Sequence, residues 1–304
     1  MRAQAPGKLV LTGAYAVLEG APAVVVAVDR HAVADTSQTA ASPPAEVRAA
    51  FGADPPPAVD VSALQDARGR KLGLGSSAAA VVASLGARAL TRGEDLAAPH
   101  ARELIFRAAR DAHARVQSGG SGVDVAASTF GGALRYTLTA GAPSIRPSAF
   151  PPGLALATFF SGESARTSDL RARVDEARAR RPAEHAGLAR SMHDGAVAAA
   201  DAFEAGDVGR YVLAAAAYGE LLARLGRFAD APIVPAGWDA LAERAAGEGG
   251  AFLPSGAGGG DVAVWLGGGL PSAAFASHAA TLGLQTLALA VDPGGLRAAV
   301  PAHE

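Results

Sequence analysis

The chain has 304 residues, half of them hydrophobic, and a formal net charge of -2. This length can bury the cores of two domains, and the near-neutral charge gives no overall attraction to nucleic acid or an anionic membrane, so an anion site would have to be local. The sequence has no cysteine, which excludes a disulfide framework, a thiolate zinc site and a cysteine nucleophile.

The first half of the chain is predicted to mix strands with helices. Residues 7–12 and 22–34 are rich in Val, Leu and Ala between glycine and proline, which predicts two strands. The polar, Ala- and Pro-rich segment 37–60 predicts a loop or an irregular excursion. Apolar residues at helical spacing predict a helix from Ser76, with serine as its N-cap, and a second helix over about 94–115.

A glycine-rich loop, QSGGSGVD, then precedes a predicted short helix and the strand GALRYTL. The segment 148–153, which contains FPPG, is typical of a linker, so we predict an N-terminal domain over 1–152 and a C-terminal domain over 153–304. The second domain is predicted to contain the strand LALATFF, three Ala- and Arg-rich helical stretches, the strands AFLPS and VAVWL, a last helix and the strand LQTLALAVD. This order favours an α+β fold with helices on one face of a mainly antiparallel sheet.

Nothing near the N-terminus predicts export or membrane insertion. The longest early apolar run, Pro22 to Val28, is too short to span a bilayer, and no apolar signal region precedes it. We therefore expect a cytoplasmic protein without a membrane or nucleic-acid partner.

The only two lysines, Lys8 and Lys71, each lie beside a glycine-containing motif, APGKLVLTGAYAVLEG and RKLGLGSSAAA. A third glycine-rich stretch, LPSGAGGGD, follows near the C-terminus. All other Lys/Arg positions hold arginine, a wide planar fork, so lysine at these loops indicates a need for a compact ammonium group. Phosphate fits such loops, because helix-start amides bind anions and lysine adds a point charge.

Each motif also has a simpler explanation when it is taken alone. GLGSSAAA could be an ordinary glycine turn before a capped helix, and it matches neither a P-loop nor a dinucleotide fingerprint. Gly256 to Gly260 could be a flexible turn, and Asp124 could cap a helix instead of acting as a base. The seven histidines show no metal-ligand spacing, which is typical of surface or ordinary core residues.

The order of the motifs, APGKLVLTGAYAVLEG, GLGSSAAA, GSGVD and PSGAGGGD, resembles the GHMP kinases from Ala5 to about Leu266. Within that superfamily the segments HARVQSGGSGVDVAASTFGGALRY and SGESARTSDL, and the ending GGGD, are most similar to phosphomevalonate kinases. One position departs from the pattern, since Ala14 stands where a glutamate is usual. The resemblance implies an N-terminal domain of the ribosomal protein S5 domain 2 type and a ferredoxin-like C-terminal domain.

The resemblance also implies the site residues. Lys8 and Asp124 would be the catalytic pair, and Ser77 would reach Mg²⁺, with Ser76 as the other candidate. The residues expected to bind ATP are Lys71, Gly73, Leu74, Gly75, Ser76, Ser77 and Ala78. The residues expected to bind the substrate are Tyr15, Ser121, Gly122, Arg166, Thr167, Ser168, Gly256, Ala257, Gly258, Gly259 and Asp261.

The expected reaction is ATP-dependent phosphorylation of (R)-5-phosphomevalonate to the 5-diphosphate, in the mevalonate route to isoprenoids. Mevalonate kinase or another small-molecule kinase of the superfamily is the alternative, and a catalytically weak homologue that binds a nucleotide or an isoprenoid precursor is a third. Asp124 would serve as a base for an alcohol acceptor, but for a phosphate acceptor it would orient Lys8 or the metal. The sequence leaves open whether the protein is a monomer or a homodimer.

Overall fold

The computed structural model describes residues 1–117, 119–163 and 167–299. Within them it contains ten strands and nine α-helices. The strands are β1 (Arg2–Thr12), β2 (Ala23–Thr39), β3 (Pro57–Asp60), β4 (Ala133–Thr139), β5 (Ala142–Ser148), β6 (Ala155–Phe160), β7 (Gly250–Pro254), β8 (Val262–Gly267), β9 (Gln285–Leu287) and β10 (Arg297–Ala298). The helices are α1 (Ala45–Phe51), α2 (Ser76–Thr91), α3 (Pro99–Val116), α4 (Val123–Phe130), α5 (Thr167–Arg180), α6 (Pro182–Glu204), α7 (Val208–Ala229), α8 (Trp238–Gly247) and α9 (Ala273–Thr281).

The chain forms two compact units that are not continuous in sequence. The first unit contains Met1–Leu9, Val25–Ala133 and the chain from Ala290 onward. The second unit contains Val10–Val24 and Leu134–Leu289. The domain division between residues 152 and 153 stays a prediction.

The first unit combines antiparallel strands with helices α1 to α4. β1 pairs with β10 through Ala3↔Ala298 and Gln4↔Arg297, and β2 pairs with β3. The Ala-rich helix α2 is buried over most of its length and packs against α1, α3 and α4. Small residues allow this close packing, since a Cβ added at Gly86 would lie 2.6 Å from Leu296 Cδ1.

Several predictions for this unit are confirmed and others are wrong. The strands at 7–12 and 22–34 and the helix from Ser76 are present. The segment 37–60 is not an irregular loop, because it contains the end of β2, helix α1 and strand β3. The helix predicted from 94 begins at Pro99, since proline presets the backbone of a first helical position. Gly75, not a serine, is the N-cap of α2.

The second unit contains a four-stranded antiparallel sheet in the order β7-β8-β6-β9. Apart from helices α5 to α7, which lie between β6 and α8, the elements β6, α8, β7, β8, α9 and β9 follow the β-α-β-β-α-β order of a ferredoxin-like domain. α8 and α9 cover one face, where Phe159, Trp238, Phe252, Trp265 and Phe275 form a buried aromatic cluster. Ring centroids there lie 4.7 to 5.9 Å apart at steep angles, as expected for edge-to-face packing.

Helices cover both faces of this sheet, which corrects the expectation of helices on one face only. α7 packs against β7 and β8, and a Cβ added at Gly219 of α7 would lie 3.2 Å from Leu253 Cβ. Leu253 points to the face opposite Phe252, because side chains alternate along a strand. Four helices, α5 to α8, stand where three stretches were predicted, and β9 keeps only Gln285–Leu287 of the predicted last strand.

The predicted α+β class is confirmed. The FPPG segment connects β5 to β6, and the strands LALATFF, AFLPS and VAVWL correspond to β6, β7 and β8. In the described part of the chain, no helix is both long enough and apolar enough to cross a membrane.

Candidate active site

Lys8 lies in β1 against the glycine loop that precedes α2. Its amide donates to the Leu74 carbonyl at 2.9 Å, and its Nζ donates to the Gly73 carbonyl at 3.1 Å. Two hydrogen bonds therefore hold the lysine and the loop together, although 65 residues separate Lys8 from Gly73. The structure brings together two features that the sequence placed in one site.

Position 75 requires glycine, both for its backbone conformation and because of the atoms that surround it. It adopts φ +75° as the N-cap of α2, a region that residues with a Cβ rarely occupy. A Cβ built there would lie 3.1 Å from Lys8 Cγ, 3.2 Å from Lys8 Cε and 3.6 Å from Asp124 Cβ. The side chains of Lys8 and Asp124 therefore both lie close to the position that a side chain at Gly75 would occupy.

The N-terminus of α2 is suited to an anion. No side chain caps this 16-residue helix, and its first turn has no acidic residue. The first amides of a helix lack intrahelical acceptors, and the helix dipole gives this end a partial positive charge. Ser76 is buried as the first helical residue, while Ser77 and the loop are partly accessible. A phosphate group would satisfy these amides.

Asp124 lies in the first turn of α4, where its Oδ1 accepts a hydrogen bond from the Val125 amide at 2.9 Å. Its Oδ2 lies 3.5 Å from His113 Nε2, and the Ser77 hydroxyl lies 3.5 Å from the same nitrogen. His113 comes from α3 and is buried. Residues from α2, α3 and α4 therefore converge beside the glycine loop.

His113 is the site residue that sequence reasoning missed. Metal-ligand spacing is a sequence pattern typical of functional histidines, and a histidine that contacts a carboxylate from another helix has no such spacing. Its position at the start of HARVQSGGSGVD, the segment that leads to Asp124, is the one signal that could have identified it.

Other predicted residues of the first unit lie around this group. Gly122 is the N-cap of α4 at φ +79°, and a Cβ there would lie 3.0 Å from the side-chain carbons of Arg110. The Ser121 hydroxyl accepts from the Val123 amide at 3.4 Å. Lys71 is exposed, and its backbone forms an isolated β-bridge with Gln65.

In the second unit, the predicted loop Gly256–Gly260 connects β7 to β8. Its four glycines have φ between +77° and +133°. The Ser255 amide donates to the Val262 carbonyl at 2.8 Å, and the Gly259 amide donates to the Ile233 carbonyl at 3.0 Å. A Cβ at Gly258 would lie 2.0 Å from that carbonyl oxygen, so this contact needs glycine.

The remaining predicted residues of this unit are in different settings. The Tyr15 hydroxyl donates to the Ala257 carbonyl at 2.7 Å, and the Asp261 carbonyl accepts from the Ser161 amide at 3.1 Å. Thr167 and Ser168 are exposed in the first turn of α5, and Arg166 lies outside the described residues. Ala14, at the position usual for glutamate, is buried.

The residues of the first unit fit a magnesium ion that is shared with phosphates. Ser77 and Asp124 present oxygen atoms within 3.5 Å of one His113 nitrogen, and Mg²⁺ prefers oxygen ligands. Within 1–117, 119–163 and 167–299, no group of three His, Asp or Glu side chains could hold a metal.

Gly75→Ala tests the closeness of the loop to Lys8, and Gly69→Ala is its matched control. Both positions have nearly the same φ, +75° and +76°, but a Cβ at Gly69 meets nothing within 4 Å. Both variants should therefore lose stability by about 1–3 kcal/mol from backbone strain. We expect only Gly75→Ala to lower turnover as well, by about tenfold or more, because it displaces Lys8. Thermal unfolding and steady-state kinetics measure the two effects, and equal turnover in both variants would contradict this geometry.

Comparison with known proteins gives four findings. The model of the GHMP kinases N terminal domain matches residues 46–132. A phosphomevalonate kinase of a Streptomyces species is 32% identical in an alignment of 334 positions that covers 86% of this chain and 88% of that protein. Among solved structures, a Listeria innocua protein superposes with a TM-score of 0.81 at 21% identity, covering 98% of this chain and 99% of that one. Streptococcus pneumoniae phosphomevalonate kinase in complex with phosphomevalonate and AMPPNP superposes with a TM-score of 0.76 at 19% identity, covering 96% and 99%.

Proposed function

This chain belongs to the GHMP kinase family, and we propose that it transfers the γ-phosphoryl group of ATP to (R)-5-phosphomevalonate, giving the 5-diphosphate and ADP. The observation that carries the proposal is the convergence of Lys8, the Gly73–Gly75 loop and Asp124 in one small region. The relative with 32% identity, a phosphomevalonate kinase, supports the choice of acceptor.

In this proposal the glycine loop and the start of α2 bind the phosphates of ATP. The backbone amides proposed to bind these phosphates are those of Gly73, Leu74, Gly75, Ser76, Ser77 and Ala78. The dipole of α2 favours the negative charge of the nucleotide. Lys71, which is exposed, would contact ATP by a movement of its long side chain.

Lys8 stabilises the phosphoryl group during transfer. Both reactants are anions, and two unit charges at about 4 Å repel by roughly 4 kcal/mol at an effective dielectric constant of 20. The hydrogen bond from Nζ to the Gly73 carbonyl fixes the ammonium beside the loop in advance. A charge positioned before the reaction lowers the barrier without reorganisation during it.

Ser77 and Asp124 would hold Mg²⁺, which when bound neutralises charge on the phosphates. With phosphomevalonate as acceptor, the attacking oxygen is mostly ionised at neutral pH, so Asp124 orients groups and does not remove a proton. The γ-phosphorus gains a bond to that oxygen as its bond to the bridging oxygen of ADP breaks. His113 limits the movement of Asp124 and Ser77.

In the second unit, the residues proposed to bind the acceptor are Tyr15, Thr167, Ser168, Asp261 and the Gly256–Gly259 loop. Arg166, and Ser121 and Gly122 of the first unit, remain predicted substrate-binding residues. Mevalonate is the second candidate acceptor, since it has the same carbon skeleton and carboxylate as phosphomevalonate and lacks only the phosphate. A cytoplasmic location and a monomeric or dimeric state remain predictions.

A coupled ADP-release assay with mevalonate, phosphomevalonate, homoserine and galactose tests the proposal. We expect ADP release with phosphomevalonate. Transfer to mevalonate and none to phosphomevalonate would overturn the acceptor but not the kinase assignment. ADP release with none of the four would favour a homologue that only binds nucleotide or an isoprenoid precursor.

The pH dependence of the single-turnover rate in Asp124→Asn distinguishes the two acceptors. With phosphomevalonate, the single-turnover rate should rise as the acceptor ionises around pH 6, and the variant should keep part of this rise at a lower overall rate. With mevalonate, loss of a required base should remove most of the rate and leave no titration from the acceptor. Single-turnover rates from pH 5 to 8 avoid limitation by product release.

A further inference from the structure

Tyr15 has an unusual backbone conformation in the motif that follows Lys8. Its φ of +64° and ψ of -54° lie outside the regions that L-residues normally occupy. The Ala16 amide donates to the Ala14 carbonyl at 2.8 Å, which closes a three-residue γ-turn around Tyr15. This form of the γ-turn is rare and strained. Strained residues persist only where surrounding contacts fix them, and they are concentrated at functional sites.

Two tyrosine hydroxyl groups form hydrogen bonds that connect this turn to other parts of the second unit. The Tyr218 hydroxyl, from α7, donates to the Ala14 carbonyl at 2.7 Å within a buried environment. The Tyr15 hydroxyl donates to the Ala257 carbonyl at 2.7 Å. The first bond holds the turn that determines the direction of the Tyr15 side chain, and the second joins that side chain to the Gly256–Gly260 loop. Both distances are typical of well-formed O–H···O bonds.

The loop needs external support because of its composition. Four glycines give it a large conformational freedom that folding must restrict. Its base is held by the bond between the Val10 amide and the Ser255 hydroxyl at 3.1 Å, and Gly259 is held by Ile233. Ala257 lies between these two points, and Tyr15 is bonded to its carbonyl.

We propose that Tyr15 and Tyr218 act as positioning residues that hold the Gly256–Gly260 loop in its working conformation through the strained turn. The effect of this loop on phosphomevalonate binding rests on the proposed function, whereas the ordering of the loop is independent of that function. Tyr218 contributes through the turn, where its hydroxyl bonds to the Ala14 carbonyl. The hydroxyl hydrogen of Tyr15 is used by Ala257, so toward an acceptor this oxygen could only accept a hydrogen bond.

Hydrogen exchange by mass spectrometry on the intact chain tests the ordering. In Tyr15→Phe and in Tyr218→Phe, amides of the peptide covering Gly256–Gly260 should exchange about fivefold faster or more, the factor that one lost hydrogen bond gives. The matched control is Ala140→Gly, which alters another residue of positive φ, +49°, in the β4–β5 turn. It should leave exchange in the loop unchanged. Unchanged exchange in both phenylalanine variants, or equal acceleration in the control, would overturn the proposal.

Steady-state kinetics give the second readout. Tyr15→Phe and Tyr218→Phe should raise KM for phosphomevalonate by about fivefold or more, with KM for ATP unchanged. A purely structural loss would instead lower the fraction of active enzyme with both KM values unchanged, and that result would overturn the positioning role. If the wild-type chain does not phosphorylate phosphomevalonate, the proposed function fails, and the exchange experiment alone decides whether the loop is held as inferred.

Discussion

Replacing Lys8 with alanine should reduce turnover by about 10²- to 10³-fold, the usual loss when one preorganised electrostatic donor is removed. The ammonium lies beside the glycine loop, where its Nζ is 3.1 Å from the Gly73 carbonyl. Because its charge acts mainly on the transferring phosphoryl group, most of the loss should appear in kcat. Lys8→Arg should also be slow, since a planar fork cannot occupy the place of a compact ammonium.

Arg107→Ala is a matched control for the lost positive charge. Arg107 is exposed on α3 and pairs with Glu103 one helical turn away, an arrangement of small energetic value. This variant should keep normal turnover, and circular dichroism should show that all three proteins are folded. Turnover near that of the wild type in folded Lys8→Ala would show that Lys8 is not part of the catalytic machinery.

Replacing Asp292 with alanine should lower the free energy of unfolding by about 3–5 kcal/mol, the usual cost of removing one partner from a buried ion pair. Asp292 is only 3% exposed. It lies 2.6 Å from His31 Nε2 and 2.8 Å from an Arg297 nitrogen, and it accepts from the Gly294 amide at 2.8 Å. The substitution would leave these donors without their acceptor.

The pH dependence of this effect has a defined sign. Burial pushes the pKa of Asp292 upward, but hydrogen bonds from His31, Arg297 and the Gly294 amide outweigh burial and hold the pKa well below its usual range. A carboxyl group with a lowered folded-state pKa contributes its full stability above the ordinary value, about 3.9, and loses it as the pH falls toward the folded value. The stability difference between wild type and Asp292→Ala should therefore be constant from pH 5 to 7 and shrink below about pH 4.

Urea unfolding at pH 7, 5 and 3 measures both parts of this prediction. Asp111→Ala, which changes an exposed carboxylate of α3 in the same unit, should alter stability by less than about 0.5 kcal/mol. A small effect of Asp292→Ala at pH 7, similar to that of the control, would show that the ion cluster contributes little to the stability of the first unit.

Sequence patterns predicted the elements with strong local signals. Continuous apolar runs gave β1 and β2, and the Ala-rich segment after Gly75 gave α2. The polar, proline-rich segment 37–60 gave a wrong prediction, because α1 is seven residues long and buries only three side chains, Glu46, Val47 and Phe51. A helix this short has too few apolar residues to show a helical period in the sequence.

The sequence by itself determined the fold family, the glycine loops and the two lysines, because these depend on residue types at short, fixed spacings. Only the tertiary structure brought Ser77, His113 and Asp124 together, joined Tyr15 to Ala257 and buried Asp292 against His31. These contacts link residues from 11 to 261 positions apart, and their formation depends on how helices and strands pack. Local propensity and spacing carry no information on which distant side chains meet, since that is decided by the burial of whole faces during folding.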